Sequence, residues 1–288
     1  MEPRKQLRKH ISEDKYLVVP GAFDALTARL IEIAGFDALY LTGGGFSRAN
    51  GYPDMGLMTM LEVTHWVGLV CDAVNIPVIA DADSGYGNAI NVVRTVREFE
   101  KTGVAGIHLE DQFAPKKCGH YEGKEIVAPE EMAGKIKAAV DARRDEDFVI
   151  IARTDAIAVE GFDAAIDRMN LYLESGADVG FVEAPQNRDQ LESIPSKING
   201  PALVNVFKGG KTPVLPKAEF TEMGYRIGIY PNQTHRAAIF AAKEVLQVLK
   251  EDGETERYED RMASWMDREV AVNTEWWRER EAEYLSLD

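Results

Sequence analysis

Two aspartates stand two positions apart in the stretch DADSGYGN, Asp81 and Asp83, and a third acid, Glu110, follows in LEDQ. On a strand, residues i and i+2 share a face, so Asp81 and Asp83 point the same way. Clustered carboxylates repel one another unless a cation sits among them. An oxygen-only set with no His–Cys trio nearby selects Mg2+, or Mn2+, over zinc. The competing reading makes these acids caps or turn residues, a common fate of Asp after a strand. Arg153 ends the apolar run before TDA, and a charge so placed needs an anion, either a structural carboxylate or a substrate's. Cys118 lies in PKKCGH. If it faces a site, Lys116 and Lys117 would lower its pKa and His120 would bind a substrate carboxylate. A buried, inert thiol is the alternative. TGGG (42–45) lets backbone N–H groups approach a ligand or simply makes a tight turn, and it matches neither common nucleotide loop. Cys71, His65 and His108 sit in apolar stretches and read as structural, and His10 belongs to a charged leader.

Eight β-rich runs must position these groups: 16–23, 38–45, 77–87, 105–112, 147–156, 179–185, 202–213 and 226–231. Between them, segments such as NVVRTVREFEKTG carry apolar residues at i, i+3 and i+4 and end in glycine, which predicts helices. Nearly continuous Val, Ile, Leu and Ala in the strands is the pattern of a parallel sheet buried on both faces. The expected fold is an α/β TIM barrel, with a doubly wound open sheet as the weaker option. Barrel chemistry sits at the carboxyl ends of the strands, and TGGG, DADSGYG, LEDQ, RTDA, EAP and NVFKGGKT all fall there. The chain reads as one domain, 1–288, with a helical C-terminal extension from about Lys243. Trp265, Trp276 and Trp277 are too large an apolar load for a solvated tail, so they are expected to pack on the barrel or on another subunit of an oligomer.

Composition bounds the partners. A length of 288 residues suits a single barrel. A net charge of −15 argues against nucleic acid, though not against a small carboxylate substrate held by a local arginine. No apolar run approaches the roughly 20 residues of a membrane span. The opening MEPRKQLRKHISEDKY is charged, unlike a signal peptide, and two cysteines give neither a disulfide framework nor zinc spacing. A cytoplasmic enzyme is expected.

DADSGYGN, LEDQ, KKCGH and ARTDA together resemble the isocitrate lyase/phosphoenolpyruvate mutase superfamily over nearly the whole chain, and KKCGH looks like the signature of its carbon–carbon lyases. The resemblance implies a TIM barrel whose eighth helix is exchanged between paired subunits, usually in a homotetramer. It implies scission of the bond between the carbon bearing a 2-hydroxyl and the carbon next to a carboxylate. Asp81 would ligate Mg2+ directly, with Asp83 and Glu110 acting mostly through water. Thr42 and the N–H groups of Gly43 and Gly44 would hold the carboxylate, Tyr40 would accept the hydroxyl proton, and Asp54 would lie near the metal. Gly119 N–H, His120, Arg153, Asn205 and Thr212 would stabilise the enediolate, Glu183 would orient Arg153 or a water, and Cys118 would return a proton to carbon. Arg236 matches an arginine of 2-methylisocitrate lyases and favours a third carboxylate. Trp265 stands where those enzymes place another arginine, Thr42 replaces their serine, and APKKCGH and VEAP…GGKTP look like the 2,3-dimethylmalate lyase and petal-death group. The implied reaction is 2-methylisocitrate to pyruvate and succinate. The alternatives are 2,3-dimethylmalate to pyruvate and propanoate, oxaloacetate hydrolysis or decarboxylation, or a barrel without turnover.

Overall fold

The computed structural model describes residues 1–117, 123–209 and 212–285. Its strands are β1 (Leu17–Ala22), β2 (Leu39–Leu41), β3 (Val78–Asp81), β4 (Gly106–Glu110), β5 (Val149–Thr154), β6 (Val179–Val182), β7 (Ala202–Asn205) and β8 (Tyr225–Tyr230). They fall on the runs read from the sequence and pair in parallel, each with the next. β8 then returns to β1 through Leu17–Ile227 and Pro20–Tyr230, closing a TIM barrel rather than leaving an open sheet. Every residue of β3, β4, β5 and β6 is buried, as strands covered on both faces require. The closing seam is tight. A Cβ on Gly21 would lie 2.4 Å from the Pro231 carbonyl oxygen, so β1 approaches the chain beyond β8 only because that residue is glycine.

Helices α2 (Ala25–Ile33), α4 (Met60–Ala73), α5 (Ala89–Lys101), α6 (Pro129–Ala142), α7 (Phe162–Glu174), α8 (Arg188–Lys197) and α9 (Lys217–Met223) connect the strands, with a short α3 (Gly43–Ala49) after β2. Local chemistry starts several of them. Asp24 accepts from Thr27 N, and Thr59–Glu62 and Asn88–Asn91 form capping boxes on α4 and α5. The core is double. Leu41, Ala80, Ile107 and Ile150 join helix residues such as Val96, Ile136 and Met169 outside the sheet, while Val19, Ile79, Ile151, Phe181 and Ile229 fill the barrel interior.

The charged leader forms α1 (Pro3–Ser12), whose Leu7 and Ile11 belong to the interior cluster. Arg4 donates to Val104 O and Arg8 to Phe148 O, carbonyls just before β4 and β5, so α1 lies across the amino-terminal mouth. Beyond β8 comes α10 (Gln233–Asp252), then α11 (Trp265–Ala271) and α12 (Thr274–Leu285), so position 243 lies in the middle of a helix. Trp265, Trp276 and Trp277 do not pack on the barrel and are 65%, 45% and 64% exposed.

Candidate active site

Parallel pairing sets Asp81 beside His108 and Glu110 beside Arg153 at the carboxyl end of the sheet. Here a cavity of about 310 Å³ opens, walled on one side by Tyr40, Thr42 and Asp81 and on the other by Arg153, Glu183 and Asn205. Thr42 caps α3, its Oγ1 accepting from Gly45 N. The glycines that follow are required by close neighbours. A Cβ on Gly43 would come within 2.7 Å of Asp81 Oδ2, and one on Gly44 within 2.7 Å of Asp54 Oδ2.

Asp81 Oδ1 accepts from Asp83 N at 2.9 Å and lies 3.4 Å from His108 Nε2. Burial works to raise its pKa, but the charges of His108, Lys116 and Arg153 overrule it and bring it to about 2. Because His108 itself is pulled down to about 4, chiefly by burial, Lys116 and Arg153 are the cations that keep Asp81 ionised at neutral pH. Asp83 takes a left-handed backbone, φ 49°, and is raised to about 6 by burial despite Lys116. The Lys116 ammonium bridges Asp54 and Asp83 at 2.8 Å each. Glu110 is wholly buried. Its oxygens find no hydrogen bond among the described residues, its ion partner is Arg153 Nη1 at 3.2 Å, and burial raises it well above the usual carboxylate range.

These groups fit a Mg2+ ion of limited direct ligation. Glu110 presents two oxygens without a hydrogen bond among the described residues, Gly43 leaves Asp81 accessible, and a positive charge already bridges Asp54 and Asp83. Among the described residues no three His, Cys, Asp or Glu side chains converge as a ready ligand set. One direct carboxylate with others acting through water suits magnesium, which usually keeps several waters.

Arg153 donates from Nε to Asp155 Oδ2 at 2.9 Å and from Nη2 to Asp155 Oδ1 at 3.2 Å. Asn205 Nδ2 reaches Glu183 at 3.3 Å, and Asn205 Oδ1 and Thr212 Oγ1 are buried without a hydrogen-bond partner among the described residues. Tyr40 bonds His108 Nε2 at 2.7 Å, and burial lifts its pKa well above the ordinary phenol value, so it is a phenol at neutral pH. Arg236 is not in the cavity wall. It is exposed, donates to Lys208 O and lies over the Phe207 ring. Cys118, Gly119 and His120 lie outside the described residues.

Three residues around the cavity escaped the sequence reading, and a fourth, Lys116, figures there only as a neighbour of Cys118. His108 is at the barrel mouth rather than in a merely structural setting, and its signal was its place two residues before Glu110, hence on the same strand face. Lys116 serves the acids. Lys124 is buried against Asp155 at 2.7 Å, although LysGlu in sequence looks solvated. Arg48 lines the cavity and donates to Gly44 O, with no signal beyond its nearness to TGGG. His65, read as structural, is exposed on α4.

A family model described as phosphoenolpyruvate phosphomutase matches residues 7–250. The chain is 46% identical to 2,3-dimethylmalate lyase of Eubacterium barkeri, over 99% of both chains. It is 44% identical to 2-methylisocitrate lyase of Aeropyrum pernix, over 87% of this chain and 81% of that one. Its structure is similar to oxaloacetate acetylhydrolase bound to the inhibitor 3,3-difluorooxalacetate, with TM-score 0.93, 33% identity, and 98% and 97% of the two chains covered. It is also similar to phosphonopyruvate hydrolase bound to oxalate and Mg2+, with TM-score 0.90 and 31% identity over the whole of both chains.

Proposed function

The chain belongs to the phosphoenolpyruvate mutase/isocitrate lyase superfamily, and from that membership we propose that it is a Mg2+-dependent carbon–carbon lyase releasing pyruvate from a 2-hydroxy di- or tricarboxylate. One observation carries the reading: a single cavity sets an acidic wall, Asp81 backed by Glu110, against Arg153. Such a cavity suits a substrate whose hydroxy-acid end is held through a cation while the other carboxylate meets a guanidinium. Bound magnesium would acidify the 2-hydroxyl and fix the carboxylate beside it. The ion would be held by Asp81, with Asp83, Glu110 and Asp54 around it.

The chain's own residues supply the rest. Thr42 and the Gly43 and Gly44 backbone orient the hydroxy-acid carboxylate. Tyr40, held in place by His108 Nε2, would take up the hydroxyl proton as the phenolate, a form that a divalent cation beside it would favour. As the bond breaks, charge grows on the departing carboxylate, where Arg153, Asn205 and Thr212 answer it together with Gly119 and His120. Glu183 positions Asn205. Cys118 protonates the carbon.

The main substrate reading is 2-methylisocitrate. A second, 2,3-dimethylmalate, is favoured by the position of Arg236: the arginine expected to take a third carboxylate does not itself line the cavity but lies over the ring of Phe207, which does. The test is a lactate dehydrogenase-coupled pyruvate assay on both acids, with oxalate release from oxaloacetate followed in parallel. Pyruvate from either acid, lost on chelation and restored by Mg2+, is the expected outcome. Turnover of oxaloacetate alone moves the enzyme to the hydrolases, and silence on all three acids rejects the proposal.

A further inference from the structure

Arg153 presents a difficulty. It faces Glu110 at 3.2 Å and gives two hydrogen bonds to Asp155, so the side chain that should greet a substrate carboxylate is already neutralised by the protein. The same two bonds are useful, because a fork held by Nε and Nη2 fixes the guanidinium plane. Asp155 is itself tied down: its N–H donates to Asp111 Oδ1, while Asp111 Oδ2 accepts from Thr154 Oγ1 at 2.6 Å and Tyr172 OH at 3.0 Å. Behind it stands Lys124, its Nζ 2.7 Å from Asp155 Oδ1 and its side chain 1% exposed.

Burying an ammonium costs several kcal/mol of desolvation, by order of magnitude, and an ion pair seldom more than balances that cost. With the buried Glu110 carboxyl raised well above the usual carboxylate range, Arg153 and Asp155 are the charged pair, and a third buried charge beside them needs a further reason. Counting charges gives one. Lys124 cancels Asp155, and Asp155 can then orient Arg153 without consuming its charge.

We infer that Lys124 and Asp155 form a positioning pair for the lyase reaction, Asp155 aiming Arg153 and Lys124 leaving the guanidinium charge available to the substrate's departing carboxylate. The inference rests on the proposed lyase reading. The rival role is mechanical: Lys124 merely anchors the chain that follows residues 118–122.

A double-mutant cycle separates the two. Lys124→Met should lower kcat about 10- to 100-fold while leaving KM within about threefold, because the answering charge matters most where anionic charge develops. Lys124→Arg should restore most of the rate. Adding Asp155→Asn to Lys124→Met removes the uncompensated anion at the cost of one of the two acceptors that hold Arg153, so the double variant should exceed Lys124→Met in kcat by threefold or more if the charge outweighs the lost bond. Additive losses, or a Lys124→Met enzyme of lower Tm and unchanged kcat, would overturn the inference. Should Lys124→Met fail to fold, the double variant, which buries no unpaired charge there, is compared with Asp155→Asn alone. A double variant slower than Asp155→Asn by the full effect of losing a cation also overturns it. Calorimetric titration with oxalate in the presence of Mg2+ repeats the cycle without turnover. The same ordering of affinities in an enzyme silent on every hydroxy acid sinks the lyase reading and keeps the pair. Turnover with an additive cycle does the reverse, and a wild type that neither turns over nor binds oxalate rejects both.

Discussion

A histidine ring lodged between Tyr40 and Asp81, with Arg153, Lys116 and Asp155 acting on it across the barrel mouth, is a poor place for a proton. Burial leads, Arg153 and Lys116 add to it, Asp81 and Asp155 oppose, and His108 titrates near 4 instead of 6.5. The unfolded chain therefore binds the proton more readily than the folded one. Stability supplied by the neutral ring is fully present above about pH 6.5 and drains away as pH falls toward 4, by on the order of 3 kcal/mol. Urea denaturation of metal-free wild type and His108→Asn across pH 4 to 7 isolates this contribution, because the other acids are common to both. A stability difference that stays constant over that range would refute it. The two thiols make a second contrast. Burial pushes Cys71 up to about 12, so it should resist alkylation at pH 8 in the native protein. Any fast-reacting thiol is then Cys118, and Cys118→Ala should abolish native labelling and cost roughly 100- to 1000-fold in kcat, as removal of an acid–base group does. Labelling that survives Cys118→Ala would mean that Cys71 is accessible and the assignment wrong.

Among the elements, the strands were legible and α1 was not, for one physical reason. A strand covered on both faces must be apolar at nearly every position, so VIIAR announces itself, and with it the acids and arginine at its end. Helix α1 buries only Leu7 and Ile11, spaced i, i+4 among charges that reach outward to Asp145 and Asp178, and so few apolar residues do not stand out as a face. The same blindness hid Lys124 and His108: local polarity or apolarity describes neighbours along the chain, whereas burial is decided by neighbours across strands. Since Leu7 is fully buried at the mouth opposite the active site, Leu7→Ala should cost about 2–5 kcal/mol of stability and leave KM for the hydroxy acid unchanged. A fully stable variant would show that α1 merely rests on the barrel floor. A raised KM would show that the interior column transmits strain to the carboxyl end.

For the whole molecule, the question is what covers the helices after β8. Only His235 and Val248 of the 20 residues in α10 are buried, while Phe240, Leu246 and Leu249 are 61%, 62% and 46% exposed. In α5, by contrast, five residues are buried. Between α2 and α10 lies an apolar hollow of about 500 Å³ lined by residues including Phe23, Leu30, Phe36 and Tyr230, and α11 and α12 add the three exposed tryptophans. Large contiguous apolar patches are rare on soluble monomers. A second copy of the chain would answer both needs at once, because its terminal helices would carry the missing apolar load and closed symmetry would bury the hollow and the helices in pairs. Exchange of helices between paired subunits, with pairs forming a homotetramer, is the expected assembly, and sedimentation velocity at micromolar concentration is the measurement. Phe240→Glu with Leu246→Glu places two charges on that face and should shift the protein to monomers with a lower Tm, leaving the distant carboxyl-end cavity chemically intact. A wild type that sediments as a monomer, or a double variant that assembles as the wild type does, would mean that the tryptophans and α10 are covered by something other than another copy of this chain.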